Sequence, residues 1–305
     1  VRNAALIVNP VSGRASLLRR RLPAIEAEFR KRKLRLQILY TTPEADSAAK
    51  LAQSVVGQAA MIIACGGDGT VHGVLQAIVH TQTALGVLPL GTANALARHL
   101  KVPLDPLCAV DCLLKASPTR VAVGSVASLT SSRFFLVMAG CGPDGALVRS
   151  LSGDAALRAK RRFGRASYYA QAGRLFLTRG WPGFQLEYRT GDQWHTTAAC
   201  AVLASRLPDL GGLFHGLTRR ADFHAPTLHL QIIRPPAHLA LAAWFTLSRM
   251  GVRHPLHRSV DVDEFRCTAG AGNPTYAQAD AELLGPLPLS ARVLPGALTL
   301  LVPNA

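Results

Sequence analysis

Acidic side chains are scarce in this 305-residue chain: 18 Asp and Glu stand against 34 Lys and Arg, a net charge of +16. A partner rich in phosphate, nucleic acid or anionic lipid is expected from that imbalance. Aromatic residues are equally few, 6% of the total, and no nucleic-acid recognition motif is present, so nucleic-acid binding is not expected. None of the six cysteines forms a CxxC pair and there is no HExxH, which excludes a zinc site of either pattern and leaves buried thiols in a reducing compartment. No apolar run approaches the ~18 residues of a membrane-spanning helix; the longest, Leu239 to Leu247, has nine. The apolar stretch within Val1 to Pro10 is too short for a signal segment, so a soluble or peripheral protein is expected. The P-loop pattern GxxxxGK[ST] is missing, as is a GxGxxG after the first apolar run. The ten histidines are scattered, without a Ser and Asp partner in an elbow, and no repeat or low-complexity segment occurs.

What is present is core material. Hydrophobic residues make up 49% and the mean hydropathy is +0.20, enough for one large domain or two. Ala4 to Val8 is a continuous apolar run, as in a strand of a parallel sheet covered on both faces. Leu17 to Phe29 carries apolar residues at helical spacing, Leu34 to Leu39 reads as a second strand, and a helix is predicted from Thr41 or Thr42 to about Val56. Strand Met61 to Ala64, helix Val71 to Thr81, strand Leu85 to Pro89 and helix Asn94 to Leu100 complete a layered α/β pattern with a mostly parallel sheet.

The pattern changes near Pro118. Strand-like runs at Arg120 to Val126, Phe134 to Ala139, Phe184 to Arg189, Thr197 to Ala204 and Leu228 to Ile233 predict a mainly antiparallel, β-sandwich-like second domain. Thr227 to Ile232 alternates as a half-buried strand would, and inserted helices are predicted near Ala166 to Phe176 and Ala237 to Met250. Pattern alone does not assign Ala297 to Val302. Two segments hold most of the excess charge: residues 1–35 at net +8 and residues 149–179 at net +7, with Arg158, Lys160, Arg161, Arg162 and Arg165 unrelieved by any acid among them.

Chemistry concentrates in turns. Cys65-Gly66-Gly67-Asp68-Gly69-Thr70 directly follows the strand MIIA, and its glycines let the backbone approach a ligand. A helix starting after Thr70 would aim its free N–H groups at phosphate oxygens in that turn. Asp68 makes sense there beside a divalent cation, as a group handling a hydroxyl, or as a cap of the turn. Pro89-Leu90-Gly91-Thr92-Ala93-Asn94 and Asn9-Pro10-Val11-Ser12-Gly13 follow two other strands, so three small-residue turns should meet at the carboxyl edge of one sheet, where a mononucleotide would sit. In the second half, Asp144 in Gly140-Cys141-Gly142-Pro143-Asp144-Gly145-Ala146 could hold Mg²⁺, orient a hydroxyl or serve as a turn residue. Gln278, Asp280 and Glu282 alternate and are predicted on one side of one strand, as a proton-accepting carboxylate pair or a solvent-facing stripe.

These residues resemble the diacylglycerol kinase catalytic-domain family, the bacterial soluble lipid kinases related to sphingosine kinases. NPVSG at 9–13, GGDGT at 66–70, PLGTANALAR at 89–98, the Gly-rich segment around Asp144, DAE at 280–282 and the closing LTLLVP carry the likeness. The resemblance implies a nucleotide-binding α/β domain over 1–120, completed by 296–305, and a β-rich lipid-substrate domain over 121–295. It implies ATP held by Asn9, Pro10, Val11, Ser12, Gly13, Thr41, Thr42, Gly66, Gly67, Asp68, Gly69, Thr70, Val71, His72 and Thr92. It further implies Mg²⁺ near Cys141, Asp144 and Ala146, partly through backbone carbonyls, with Glu282 as proton acceptor and Asp68 at the phosphates and metal. The implied protein is a cytoplasmic lipid kinase acting on a lipid alcohol at the inner membrane face, with transient contact to anionic lipid and room for a homodimer. An NAD kinase or a weakly catalytic nucleotide- or lipid-binding regulator is the alternative. Three positions depart from the family: Gly73 replaces a Glu, Ala95 an Asp, and Ala281 the Gly of DGE.

Overall fold

A computed structural model describes residues 2–151, 173–175, 181–210, 218–234, 256–270 and 274–304. The chain divides into two compact units, Val1–Val123 with Leu294–Ala305, and Gly124–Val293. The predicted helices near 166–176 and 237–250, and most of the basic segment 149–179, lie outside the described residues apart from residues 149–151 and a short helical stretch at 173–175.

In the first unit the apolar runs become β1 (Arg2–Val8), β2 (Leu34–Tyr40), β3 (Ala59–Gly66) and β4 (Ala84–Pro89), parallel in the order β2-β1-β3-β4. The end of β16 (Leu289–Val302) adds to β4 in parallel, Thr299 opposite Ala84, which gives the unassigned final run its place. Helix α1 (Ala15–Lys31) buries Ala15, Leu18, Ile25 and Phe29. Helix α2 begins at Ser47 and ends at Val55, later than predicted, because Asp46 takes a left-handed conformation (φ 56°) and breaks the run. Helix α3 (Asp68–Ile78) begins inside the Gly-rich turn rather than after Thr70. α4 (Ala95–His99) is short, and α5 (Pro106–Leu114), absent from the predicted elements, starts at a cap: the Asp105 carboxylate accepts from Leu107 and Cys108 N–H.

The second unit packs two antiparallel sheets over one apolar core. One joins β9 (Gln193–Ala199), β8 (Phe184–Thr190), β13 (Glu264–Thr268) and the start of β16. The other runs β12 (His257–Val262), β11 (Leu228–Ile233), β10 (Ala201–Ser205), β7 (Met138–Cys141), β14 (Tyr276–Ala279), β15 (Glu282–Pro286). Leu186, Tyr188 and Phe265 of the first meet Val202, Leu230 and Ala277 of the second.

Three strand predictions are corrected. The run Phe134 to Ala139 is two strands, β6 (Ser132–Phe135) and β7, because the N–H groups of Leu136, Val137 and Met138 donate to the Asp280 carboxylate, each at 2.9 Å. Thr197 to Ala204 divides at Cys200 between β9 and β10. β11 is buried along both faces, His229 and Gln231 included, and is not half-buried. Of the cysteines, all free, four are buried; Cys108 is exposed and Cys112 partly so.

Candidate active site

The three small-residue turns do meet. β1, β3 and β4 are parallel neighbours, so Asn9–Gly13, Gly66–Thr70 and Pro89–Asn94 leave the sheet at one edge. Main-chain bonds tie them: Asn9 N–H donates to Cys65 O (2.9 Å), Leu90 N–H to Gly66 O (2.8 Å) and Arg14 N–H to Leu90 O (3.1 Å). Glycine is required where the turns touch. A Cβ on Gly91 would lie 2.5 Å from Gly67 Cα, and one on Gly66 would lie 2.2 Å from Thr70 Oγ1. Gly67 caps α3, so the N–H groups at 67–69 are those a helix leaves without intrahelical partners, suited to an anion.

Asp68 has a definite job in this arrangement. Its Oδ2 accepts from Asn94 N–H (3.0 Å) and its Oδ1 from Ala95 N–H (2.7 Å). It thus holds the second glycine turn against the first, and both oxygens are engaged by the opposing loop. Asn94, in a left-handed conformation at φ 48°, accepts from Gly91 N–H through Oδ1 (3.1 Å) and donates from Nδ2 to Gly91 O (2.8 Å). Val11 is 85% exposed and Thr92 is exposed, so the rim is open to a ligand. Thr41 and Thr42 follow β2; Thr41 N–H bonds Val8 O, and Thr42 N–H donates to Ser47 Oγ (2.9 Å). Val71 and His72 are buried in α3 rather than presented at the rim.

Sequence reading missed two residues here. Asn94 is buried and shapes the loop, and Arg14 places a partly exposed cation directly after the first turn, without an ion pair among the described residues. Arg14 carried a signal, as the only cation adjoining that turn; Asn94 carried none beyond its turn-forming type.

Gly73, where the resemblance expects Glu, has a physical reason. It faces α2, and a Cβ there would lie 2.8 Å from Ala48 Cβ. Close approach of two helices occupies the position an acidic side chain would need.

In the second unit, Asp144 stands in the first turn of α6 (Pro143–Leu151). Its Oδ2 accepts from the Gln278 amide (3.0 Å), and Gln278 Oε1 accepts from Ala281 N–H (2.9 Å). Desolvation pushes the Asp144 carboxyl up to about 6, against the lowering effect of Gln278. Gly140 and Gly145 make room: a Cβ on either would meet Asp144 Oδ2 or Tyr276 O within 2.5 Å. Gln278 is fully buried and joins two turns that are far apart in sequence.

The one-strand stripe of Gln278, Asp280 and Glu282 is corrected. Asp280 and Ala281 form the two-residue turn between β14 and β15, both at positive φ (47° and 67°), as a type I′ hairpin demands. Asp280 is buried and bound to three backbone N–H groups, whereas Glu282 is exposed at the hairpin's end. The two carboxylates therefore occupy different environments and do not act as a pair.

Cys141, Asp144 and Ala146 lie around one turn, but Asp144 alone offers a charged oxygen. Cys141 is buried in β7 between Val202 and Ala277, and burial keeps its thiol protonated; Ala146 lies within α6. Among the described residues no group of three or more His, Cys, Asp or Glu converges as a metal cage. One carboxylate fits a hydrated Mg²⁺ that brings water and phosphate oxygens with it, the usual habit of that ion.

Residues 3–126 match the diacylglycerol kinase catalytic domain. The chain is 32% identical over 143 residues to a diacylglycerol kinase of Staphylococcus saprophyticus, covering 46% of this chain and 45% of that one. It is 28% identical over 172 residues to that of Bacillus subtilis, 55% of this chain and 54% of the relative. These matches span about half the length of the curated relatives. In fold the likeness extends further: a crystal structure of a diacylglycerol kinase from Bacillus anthracis superposes with a TM-score of 0.75 at 22% identity, covering 99% of this chain and 97% of the other.

Proposed function

From the family likeness that residues 3–126 carry, we propose that the protein is an ATP-dependent lipid kinase that moves the γ-phosphoryl group to the hydroxyl of a lipid alcohol. The observation that supports this most is the meeting of three glycine turns, with Asp68 binding one to another and the α3 N-terminus opening on the rim. In this reading Asn9–Gly13, Thr41, Thr42, Gly66–Thr70 and Thr92 surround the nucleotide, and Arg14 adds positive charge at the phosphates. Val71 and His72 contribute as the buried first turns of α3.

Mg²⁺, when bound in the second unit, would have Asp144 as its single protein oxygen and would supply positive charge there. Glu282 would accept the proton of the attacking hydroxyl, its exposure at the hairpin end leaving it free to receive one. Asp68 acts by holding the loop that carries Thr92, a positioning role. Phosphoryl transfer depends mainly on position and charge, which is why so few side chains are needed. The acceptor is a membrane component, so the enzyme would work at a bilayer surface; no helix among the described residues is long and apolar enough to cross one.

Purified protein with labelled ATP, Mg²⁺ and lipid alcohols (diacylglycerol, a sphingoid base, phosphatidylglycerol, an isoprenoid alcohol) in neutral mixed micelles tests this. Label on one of the lipids is the expected result. Label on NAD, or none on any acceptor while ATP still binds, would overturn it.

A further inference from the structure

We infer that Tyr40 is the platform on which the base of the nucleotide stacks, and that the base it favours is a purine. The inference deepens the kinase reading of the first unit and rests on it; the residue itself is read from composition, register and exposure.

Aromatic side chains are shared unevenly between the units. Of the 18 in the chain, the first unit holds Phe29 and Tyr40 alone. Phe29 of α1 is fully buried, whereas Tyr40 is 50% exposed. The unit that carries the three glycine turns therefore shows one aromatic ring to solvent, and that ring stands at the sheet edge from which the turns leave.

Tyr40 is the last residue of β2, and Thr41 and Thr42 follow it directly. It lies opposite Val8, and Val8 lies opposite Cys65, so the three form one row across β2, β1 and β3. Val8 leads into Asn9–Gly13 and Cys65 into Gly66–Thr70. At about 4.8 Å between strands, Tyr40 stands about 10 Å from the strand end that opens into Gly66–Thr70. A nucleotide laid along the row spans that gap, its base at β2 and its outer phosphates at the N–H groups of the α3 N-terminus.

The surroundings suit a heterocycle. Among the described residues of the first unit, three large apolar side chains are exposed: Val11, Tyr40 and Leu104. The first two belong to the ends of adjacent strands, Val11 in the turn after β1 and Tyr40 closing β2. Small-ligand sites pair apolar walls with a few polar groups, and the hydroxyls of Thr41 and Thr42 come next in the chain. Stacking attraction grows with the area of overlap, so the fused rings of a purine gain more from the phenol face than a pyrimidine does. Pairing of β2 with a second chain accounts less well for the exposed ring, because the exposed cations Lys33 and Arg35 blunt that edge.

Isothermal titration calorimetry of the full chain with ATP, CTP and inorganic tripolyphosphate, each with Mg²⁺, is the test. The parent is expected to bind ATP more tightly than CTP. Tyr40→Ala should weaken ATP binding by about tenfold, within the range that one lost base stack gives, and narrow the gap between ATP and CTP. Tripolyphosphate should bind parent and variant alike, since the glycine turns are untouched. Tyr40→Phe keeps the ring and should bind ATP as the parent does. Where Tyr40→Ala does not fold, Tyr40→Trp decides: its added fluorescence should be quenched by ATP and not by tripolyphosphate. Equal ATP affinity of parent and Tyr40→Ala, an equal loss for ATP and tripolyphosphate, or no quenching of Tyr40→Trp by ATP would each overturn the inference. A parent that binds no nucleotide would sink the kinase reading together with it. A parent that binds ATP in a Tyr40-dependent way but labels no lipid would sink the lipid-kinase reading and leave the base platform standing.

Discussion

Asp68 shows how one side chain can look catalytic in sequence and act as a clamp in the fold. Both its oxygens accept N–H groups of the facing loop. Asp68→Asn keeps one acceptor and turns an amide NH₂ toward a backbone N–H, a loss of about 1–3 kcal/mol at that contact. The expected outcome is weaker ATP binding together with at least a tenfold drop in turnover, roughly the factor that 1.4 kcal/mol gives; calorimetry and a lipid phosphorylation assay would show unchanged values if the clamp were unimportant. Asp144 makes the opposite case, a carboxyl kept where desolvation disfavours its charge. Its folded value, about 6, lies above its ordinary 3.8, so the fold holds this proton more tightly than the unfolded chain does. The stabilisation is complete below the unfolded value and lost as pH rises through about 6. Asp144→Asn, which still accepts from Gln278, should thus gain up to about 3 kcal/mol over the parent at pH 8 and nothing at pH 3. Denaturant midpoints at both values check the sign.

Two departures from the family pattern become testable between elements. The β14–β15 turn holds Ala281 at φ 67°, where a Cβ is disfavoured and glycine is not. Ala281→Gly should raise stability by about 1 kcal/mol with activity kept, because the hairpin stays pinned by Asp280 and Gln278. Gly73→Glu, which restores the family residue, should lower stability by about 1–3 kcal/mol instead of raising turnover, since α2 stands 2.8 Å from the new Cβ. A higher thermal midpoint for the second variant would mean that α2 yields easily. The strands and turn positions of the first unit were legible because continuous apolar runs end in turns of small residues. The start of α3 at Asp68 was not, since a glycine turn and a helix N-terminus use the same residues. Equally hidden were the division of Phe134 to Ala139 and the hairpin at 280–281, because both follow from a single carboxylate, Asp280, whose partners lie more than a hundred residues away. Alternation read Gln278, Asp280 and Glu282 as one face; only positive φ at two successive residues reveals the turn.

For the molecule as a whole, composition pointed at a negative partner without saying where it would bind, because charge is a sum and a surface is an arrangement. The structure places part of that sum on the exposed side of α1, where Arg19, Arg20 and Arg30 have no ion pair among the described residues and Glu26 stands beside them. A net charge of +16 also repels itself, and the compact state bears more of that repulsion than the unfolded chain. Screening should relieve it: the Debye length falls from about 30 Å at 0.01 M salt to about 8 Å at 0.15 M. The thermal midpoint is therefore expected to rise between those two NaCl concentrations, to rise alike in KCl, and to rise less in an Arg19→Gln/Arg20→Gln/Arg30→Gln variant, which removes three exposed cations of α1. Differential scanning fluorimetry at fixed pH measures all three. A midpoint that is flat or falls over that range would mean that the cations are already balanced within the fold.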